Sequence, residues 1–329
     1  MTIGLTYDLR SEYLKMGFSE EETAEFDKED TIEAIEQTLQ QLGYHTERIG
    51  HLKQLVEALA TGKRWDLVFN IAEGMYGLGR EAQVPALLDA YQIPYVFSGP
   101  LVLALTLDKS LTKRVIRDAG IPTPDFALIH HESELPDINL AFPLFAKPVA
   151  EGTGKGINGK SIINNTEELK ERCSSLLKEF KQPVLLETYL SGREFTTGVT
   201  GTGVNAKTTG TMEILLLAKA EKGLYSYANK EDYKQVIEYQ AVTDETTKNS
   251  CEQLALDVFR LLGCEDGGRV DIRMDENGVP NFLEINPLAG MHPIHSDLPI
   301  LSRLNGIPYP ELMKRIMDSA VQKVKKPVK

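Results

Sequence analysis

Residues Arg269–Pro287 read RVDIRMDENGVPNFLEINP and carry the clearest structural signal in the chain. Asn277-Gly278 stands between two runs in which apolar and polar residues alternate, and this pattern indicates a β-hairpin with a two-residue type I′ turn. With that turn, position 276 pairs with 279, and Asp271 lies directly opposite Glu284. The segment therefore predicts two carboxylates that face each other across paired strands.

The opposed acids indicate a bound cation. Like charges directly opposite each other destabilise a strand pair unless positive charge lies between them. Asn286 lies on the same face, two residues beyond Glu284. Carboxylate and amide oxygens are hard ligands that suit Mg²⁺, which keeps waters and phosphate oxygens in its shell. We therefore predict a magnesium–nucleotide site here. The alternative is a solvated acidic face, and Pro280, which cannot donate to a strand ladder, allows a two-residue register shift that keeps the shared face.

Length, charge and cysteine content bound the class of protein. The chain has 329 residues, enough for two or three domains, and a formal net charge of -12. That charge argues against a protein that binds nucleic acid or an anionic membrane through its overall field. The three widely spaced cysteines match neither a disulfide framework nor a zinc site. The sequence has no signal-peptide layout and no apolar run of membrane-spanning length, so we expect a cytoplasmic protein.

The first third of the chain alternates strand and helix patterns, which predicts an α/β fold with a small doubly wound parallel sheet. The predicted strands cover residues 3–7, 45–49, 67–71 and 95–97, and the predicted helices cover 31–42, 52–59 and 84–91. Asp30 is the expected N-cap of the helix at 31–42. No G-x-G-x-x-G motif follows the first strand, so a dinucleotide-binding fingerprint is absent.

The remainder of the chain mixes strands and helices after an expected domain boundary at Ile121-Pro122-Thr123-Pro124. A helix at 109–119 precedes this boundary and ends at Gly120. Further strands are predicted at 145–148, 161–163 and 184–187, and further helices at 167–180, where Thr166 is the cap candidate, at 250–262, and from 309 onward. We therefore expect a mixed α+β arrangement beyond the N-terminal sheet.

The glycine-rich segment 151–161 contains a formal Walker A match, from Gly154 through Gly159-Lys160-Ser161. A P-loop needs its Lys-Ser pair to open a helix whose N-terminal amides hold phosphates. Here the pair leads into a predicted strand, which favours a flap between two strands. The glycines of such a flap allow backbone amides to approach a phosphate, and Lys155 adds positive charge. A true P-loop and a flexible hairpin without a ligand are the alternatives.

Several short motifs follow one another along the chain. They are Ile93-Pro94-Tyr95, Asp108-Lys109 and Thr112-Lys113; Lys147-Pro148 with Glu151-Gly152; Leu186-Glu187 through Gly192-Arg193-Glu194-Phe195-Thr196; Gly268-Arg269-Val270-Asp271; and Leu283-Glu284-Ile285-Asn286 with Gly290-Met291. This ordered set, which covers roughly residues 66 to 310, resembles the ATP-grasp fold and, within it, the D-alanine–D-alanine ligase family. The resemblance implies an N-terminal α/β domain (1–120), a central subdomain with the flap (121–198) and a C-terminal subdomain with the magnesium and phosphate site (199–329).

The resemblance also implies roles for individual residues in binding ATP. Lys109 and Lys147 look like the family's two phosphate-binding lysines, whose charge would stabilise the transferring phosphoryl group. A solvated surface position is the alternative for each lysine. The other implied nucleotide residues are Glu151, Gly152 and Thr153 in the flap, Glu187, Tyr189 and Leu190 in the adenine-binding linker, Glu194 at the ribose, and Lys230 at the γ-phosphate.

The implied reaction is ATP-dependent ligation of a carboxylate to an amine. Mg²⁺, or Mn²⁺ as an alternative, would be held by Asp271, Glu284 and Asn286. A substrate carboxylate would become an acyl phosphate, and an amine would displace the phosphate to form an amide. Arg269 and the backbone near Gly290 would face the oxyanion of the tetrahedral intermediate. The partners implied are a small-molecule carboxylate and a small-molecule amine, with amino acids favoured; the implied pathway is peptidoglycan synthesis, and the implied assembly is a homodimer.

The departures from the family pattern concern the amino-acid substrates. The family's first strand leads into a turn whose glutamate holds the first D-alanine's ammonium, whereas this strand leads into Asp8–Glu12. Glu73-Gly74 replaces a His-Gly pair near the substrate carboxylate, and an acid there favours an amine or another cation. Other substrate positions also differ: Thr153 and Gly154 replace serines, Glu231 replaces a tyrosine, and His292, His295 and Ser296 occupy the acceptor region.

These departures leave three questions open. D-alanine remains one candidate substrate beside other pairs of carboxylate and amine. His292 and His295 are either polar loop residues near a substrate pocket or metal ligands. A nucleotide-binding regulatory or scaffold protein with a degenerate ATP-grasp site is the alternative to a ligase.

Overall fold

A computed structural model describes residues 1–152, 154–216 and 237–325 and contains three β-sheets in those residues. The N-terminal sheet is parallel, in the order β2-β1-β3, with β1 at Thr2–Tyr7, β2 at His45–Gly50 and β3 at Leu67–Ile71. Parallel strands need crossover connections and are buried on both faces. All five residues of β3 are buried, including Asn70, whose side chain accepts from the Thr6 hydroxyl at 2.8 Å.

The N-terminal part contains several helices, and the last of them packs through Ile116 into the core of the C-terminal sheet. These helices are α1 at Arg10–Lys15, α2 at Glu29–Gln41, α3 at Leu52–Ala60, α4 at Gln83–Ala90, α5 at Pro100–Leu107 and α6 at Lys109–Asp118. The predicted cap of α2 is wrong: the helix begins at Glu29, so Asp30 lies in its first turn, where it accepts from the Thr31 amide at 2.9 Å.

The predicted strand at 95–97 is also wrong. An isolated bridge pairs Tyr95 with Val68, and the chain then leaves the sheet because Phe97 adopts a positive φ of 74°. Residues 98 and 99 lead directly into α5. The predicted pairing direction is nevertheless correct, since the bridge is parallel.

The central sheet is antiparallel, in the order β4-β7-β5-β6. Its strands are β4 at Phe126–Ile129, β5 at Leu144–Pro148, β6 at Ile162–Ile163 and β7 at Val184–Thr188, and α7 at Thr166–Phe180 packs on it. The predicted cap Thr166 is wrong, because Asn165 accepts from the Glu168 amide at 3.0 Å. The glycine-rich flap joins β5 to β6, and the helix begins beyond β6.

The C-terminal sheet is antiparallel and has the order β10-β9-β8-β11-β12. Its strands are β8 at Glu194–Thr200, β9 at Lys207–Leu216, β10 at Ile237–Ala241, β11 at Gly267–Met274 and β12 at Pro280–Asn286. The helices are α8 at Glu245–Leu261, α9 at Asp297–Leu304 and α10 at Tyr309–Val324. One apolar core joins α9 and α10 to the N-terminal sheet.

The hairpin β11–β12 reaches the predicted opposition by a different route. Met274 pairs with Pro280, so the predicted type I′ turn is wrong. The Gly278 amide donates to Asp275 O at 3.1 Å. Gly278 has a φ of +79° and forms the bulge that often follows a type I turn. This changes the register by one residue. A second irregularity between residues 271 and 272 changes it back, and Asp271 lies opposite Glu284 as predicted.

Among the described residues, none of the helices combines the length and the apolar character that crossing a lipid bilayer requires.

Candidate active site

Two cavities meet beside the hairpin. The smaller lies between the central and C-terminal sheets, and the larger, of about 510 Å³, lies between the hairpin and the N-terminal segments. The residues that line both are Lys109, Glu151, Gly152 and Glu284. The predicted nucleotide residues that line the smaller cavity are Lys109, Lys147, Glu151, Gly152, Glu187, Tyr189, Leu190 and Glu194. The larger cavity contains the predicted residues Arg269, Asn286 and Gly290.

Lys109 occupies the junction of the cavities because of its place at the start of α6. Asp108 caps this helix by accepting from the Ser110 and Leu111 amides at 2.9 and 3.0 Å. The Lys109 ammonium donates to Glu151 O at 2.6 Å and lies 3.4 Å from the Glu284 carboxylate. Its side chain is 11% exposed, so the solvated-surface alternative does not hold for Lys109.

Lys147 belongs to a buried group of three charges that the sequence did not indicate. Glu187 lies 2.7 Å from Lys147 and 2.6 Å from Lys113, and all three side chains are buried. Burial would raise the pKa of Glu187, but the two lysines lower it. Burial would lower the pKa of Lys147, but Glu187 and Glu284 raise it, so this lysine stays charged. The Glu187 carboxylate therefore forms ion pairs with both lysines, in addition to the position in the adenine-binding linker that the sequence predicted.

The far end of the smaller cavity is aromatic. The rings of Phe145 and Tyr189 are stacked with centroids 6.5 Å apart, and the Arg273 guanidinium lies 5.1 Å from the Tyr189 ring. Arg273 also donates to Glu194 at 3.1 Å, which holds the predicted ribose acceptor in place. Leu190 lines the same end. Arg273 was not among the predicted site residues. The sequence did contain a signal for it, because Arg273 lies two residues after Asp271 in an alternating strand and therefore on the same face.

The hairpin acids form a set of oxygen donors. Asn286 contacts Asp271 at 3.4 Å, and Glu284 is the cross-strand partner of Asp271. The protein's own cations already lie beside both acids, because Arg269 donates to Asp271 at 2.6 Å and Lys109 approaches Glu284. Opposed acids alone were therefore insufficient evidence for a metal. The donors still fit Mg²⁺: two carboxylates and one amide at the cavity junction leave room for waters and phosphate oxygens.

Glu25 is a candidate site residue that sequence reasoning missed. Its carboxylate accepts from the Gly152 amide at 2.9 Å and from Arg80 at 3.1 Å, and it lies 3.7 Å from the Lys155 ammonium. It lines the larger cavity. Asp8–Glu12 directly follow the first strand, whereas Glu25 reaches the cavity only after α1 and a turn-rich segment.

Two further acids line the larger cavity. Burial, followed by the charges of Glu81 and Glu25, raises the pKa of Glu73 well above its ordinary value. Burial also raises the pKa of Glu81 to about 7, although the charge of Arg80 opposes this shift. Glu73, which replaces the family's histidine, therefore lines the larger cavity together with Glu81. Each acid would be stabilised in its charged form by a cation in the cavity.

The opposite wall of the larger cavity carries Arg269 and the histidines. The second guanidinium nitrogen of Arg269 lies 3.6 Å from Asp297. Burial would lower the pKa of Arg269, but Asp271, Asp297 and Glu284 raise it, so the guanidinium stays charged. His292 and His295 are stacked 4.5 Å apart, and His292 lies 3.3 Å from Asp30. No set of three or more His, Cys, Asp or Glu side chains suited to a metal occurs in the described part of the chain.

The formal Walker A match does not behave as a P-loop. Lys160 pairs with Glu171 at 2.8 Å, and both side chains are exposed. Ser161 leads into β6, and neither Lys160 nor Ser161 lines either cavity. Thr153, Lys230 and Glu231, three residues of the predicted substrate and nucleotide sites, lie outside the described residues.

The comparisons with known proteins agree with this geometry. A family model described as D-ala D-ala ligase C-terminus matches residues 115–318. The chain belongs to the D-alanine–D-alanine ligase family. The D-alanine–D-alanine ligase of Aquifex aeolicus is 31% identical over 288 residues, which cover 87% of this chain and 93% of the relative. That of Bordetella avium is 34% identical over 283 residues, or 84% of each chain.

Solved structures of such ligases share the fold. The D-alanine–D-alanine ligase of Bacillus anthracis complexed with ATP has 23% identity and a TM-score of 0.74 over 99% of both chains. The VanG D-Ala:D-Ser ligase of Enterococcus faecalis has 19% identity and a TM-score of 0.74 over 97% of this chain and 99% of its own. The predicted α/β, ATP-grasp fold and the predicted family are confirmed. The protein is an ATP-dependent ligase that forms carbon–nitrogen bonds. This result favours the ligase hypothesis over the alternative of a nucleotide-binding regulatory or scaffold protein.

Proposed function

We propose that this ligase activates the carboxylate of one amino acid with ATP and joins it to the amine of a second. The observation that carries the proposal is the junction of the two cavities, which Lys109, Glu151, Gly152 and Glu284 share. A phosphoryl group held at this junction is accessible from both cavities. Positioning and charge stabilisation then suffice for the transfer, with no side-chain nucleophile.

The smaller cavity suits ATP with its base at the aromatic end. The base would lie near Phe145, Tyr189 and Leu190, and the ribose hydroxyls would donate to Glu194. Lys109 and Lys147 would contact the phosphates, where their charges offset the negative charge of the nucleotide. The flap residues Glu151, Gly152 and Thr153, with Lys230, would cover the phosphates, and Glu187 would hold Lys147.

The hairpin would hold the divalent cation. Asp271, Glu284 and Asn286 supply oxygen donors of the type that Mg²⁺ prefers and that Mn²⁺ also accepts. When bound there, the ion would neutralise phosphate charge during transfer. The protein's own residues would do the rest: Lys109 orients the phosphates, and Arg269 retains its charge next to the substrate cavity.

The larger cavity would hold both amino acids. One substrate's carboxylate oxygen attacks the γ-phosphorus of ATP, which releases ADP and leaves an acyl phosphate. The second substrate's amine attacks the acyl carbon, and phosphate departs as the amide forms. Arg269 and the backbone near Gly290 would stabilise the oxyanion between these steps.

Glu25 is placed to hold a substrate ammonium. It lies beside the flap through its bond to Gly152, and it faces the larger cavity. D-alanine is the first substrate to test, because the relatives are D-alanine–D-alanine ligases. Its dipeptide would serve peptidoglycan synthesis. We also propose a cytoplasmic location, a homodimer, and domains at residues 1–120, 121–198 and 199–329.

The test is ATP-dependent phosphate release with Mg²⁺ over D- and L-amino acids, singly and in pairs, with the products weighed by mass spectrometry. We expect D-alanine alone to release phosphate and to give the dipeptide. Phosphate release with a different pair of amino acids would support the ligase activity but would replace D-alanine as the proposed substrate. ATP binding without turnover over the whole panel would contradict the proposal and favour a regulatory protein.

A further inference from the structure

The buried charges behind the nucleotide cavity do not cancel. Glu187 carries one negative charge and pairs with two lysines, Lys113 and Lys147, at 2.6 and 2.7 Å. Glu187 and Lys147 line the smaller cavity, whereas Lys113 lines neither cavity. If Lys113 were apolar, the Lys147–Glu187 pair would be neutral. With Lys113 charged, the group carries one net positive charge beside the place of the phosphates.

Lys113 is fixed from several sides. Its ammonium donates to Thr123 Oγ1 at 2.8 Å and to Phe282 O at 3.2 Å, and it lies 5.5 Å from the Phe282 ring. Its side chain is completely buried. It lies one helical turn after Lys109 on α6, so the same helix directs one lysine to the cavity junction and the other beneath Glu187.

We propose that Lys113 is a positioning residue of the nucleotide site, which neutralises Glu187 so that the charge of Lys147 remains available to the phosphates of ATP. This inference rests on the proposed nucleotide site. An unbalanced charge in a dry environment is unfavourable until a counter-charge arrives. Burial lowers the pKa of Lys113 to about 8; the charge of Glu187 opposes this shift, and the charge of Lys147 adds to it. The lowered pKa is consistent with one uncompensated positive charge in the group.

Lys113→Met distinguishes this role from a structural one. The variant keeps a neutral Lys147–Glu187 pair, and Phe282 O keeps its bond from Thr123 at 2.9 Å. We expect the dissociation constant of ATP to rise roughly tenfold, as for the loss of one nearby charge in a partly screened site. Resistance to urea without ATP should also fall, because Glu187 Oε1 loses its ion-pair partner. A merely structural lysine would give the lower resistance to urea with unchanged ATP affinity.

The double variant Lys113→Met/Glu187→Gln tests the mechanism. Removing the Glu187 charge makes its neutralisation unnecessary, so ATP affinity should return to within about threefold of the wild type. Arg114→Met is the matched control, because Arg114 is the exposed neighbour of Lys113 on α6 and lines neither cavity. It should bind ATP like the wild type.

ATP binding is measured by calorimetry on the full chain with Mg²⁺. Failure of the wild type to bind ATP would contradict the proposed function itself. Binding by the wild type and equally by Lys113→Met would contradict the role of Lys113 alone. Weak binding by the double variant would contradict neutralisation of Glu187. If neither Lys113 variant folds, Lys113 is structural and the inference is wrong.

Discussion

The two cavities that meet at the hairpin differ in how their charges are matched. Behind the smaller cavity, two buried lysines pair with one buried carboxylate, and this group of three side chains keeps one positive charge. In the larger cavity, acids accumulate on the N-terminal side, and burial raises the pKa of Glu73 and Glu81. The first cavity suits a polyanion and the second an ammonium. This difference supports the proposed separation of a nucleotide site, whose residues follow the family pattern, from a substrate site, whose residues depart from it.

The largest expected effect is that of Glu284→Gln, which changes the junction of both cavities. The substitution removes one negative charge from the proposed magnesium site and keeps the shape of the side chain. We expect phosphate release to fall by about 100-fold or more, with the fold intact. Glu276→Gln, at the exposed tip of the same hairpin, is the control. Near-normal turnover by a folded Glu284→Gln variant would remove the metal assignment.

Glu25→Gln should affect the substrate cavity more strongly than the nucleotide cavity, although Glu25 also contacts Gly152 and Lys155, which line the smaller cavity. Loss of the carboxylate removes a charged partner of the substrate ammonium, so KM for the amino acid should rise by roughly 10- to 100-fold. KM for ATP should change little. Steady-state kinetics with each substrate varied in turn measure both values, and Glu12→Gln serves as the control because Glu12 lines neither cavity. An equal rise in both KM values would contradict the separation of the two cavities.

Glu81→Gln should flatten the pH dependence of stability. Burial raises the pKa of Glu81 from 4.5 to about 7, so between these values the folded chain binds a proton that the unfolded chain lacks. This contribution is therefore fully present below about pH 4.5 and is lost as pH rises to about 7. Urea unfolding across this range should show a smaller slope in the variant, and exposed Glu57→Gln should keep the wild-type slope. Equal slopes for Glu81→Gln and the wild type would show that Glu81 does not contribute to the pH dependence of stability.

The smallest effect is expected for Lys160→Ala. Lys160 pairs with Glu171 at the surface, away from both cavities. ATP affinity measured by calorimetry should stay within about twofold of the wild type, because an exposed ion pair contributes little. Lys147→Ala, the counterpart in the buried group, should lose affinity. The opposite pair of results would restore the P-loop alternative.

The hairpin β11–β12 shows which features of the site could be predicted from the sequence. The Asn-Gly signal located the turn, and the alternating pattern placed Asp271, Glu284 and Asn286 on one face. Neither the turn type nor the irregularity after Asp271 was predictable from the alternating pattern alone. The two errors cancelled, so the site prediction was correct in register for reasons that the sequence did not contain.

The roles of two residues could not be found from local pattern. Glu25 reaches the larger cavity through an irregular segment whose course depends on contacts with Arg80 and Gly152. Lys113 is a lysine on an amphipathic helix, and lysine there is ordinarily exposed. Its burial depends on Glu187, which lies far away in the sequence. Long-range charge pairing of this kind is the part of the site that pattern reasoning cannot supply.

The separate core of the central sheet has a consequence for the energetics of opening. Its buried apolar residues all belong to the segment from Ile129 to Leu186, while the contacts to the rest include the Lys113–Glu187 pair and a small cluster around Leu107 and Val149. Such a segment can open as one cooperative unit at a lower free energy than global unfolding. Its amides should therefore exchange with deuterium together, and ATP, which would contact both sides, should slow them.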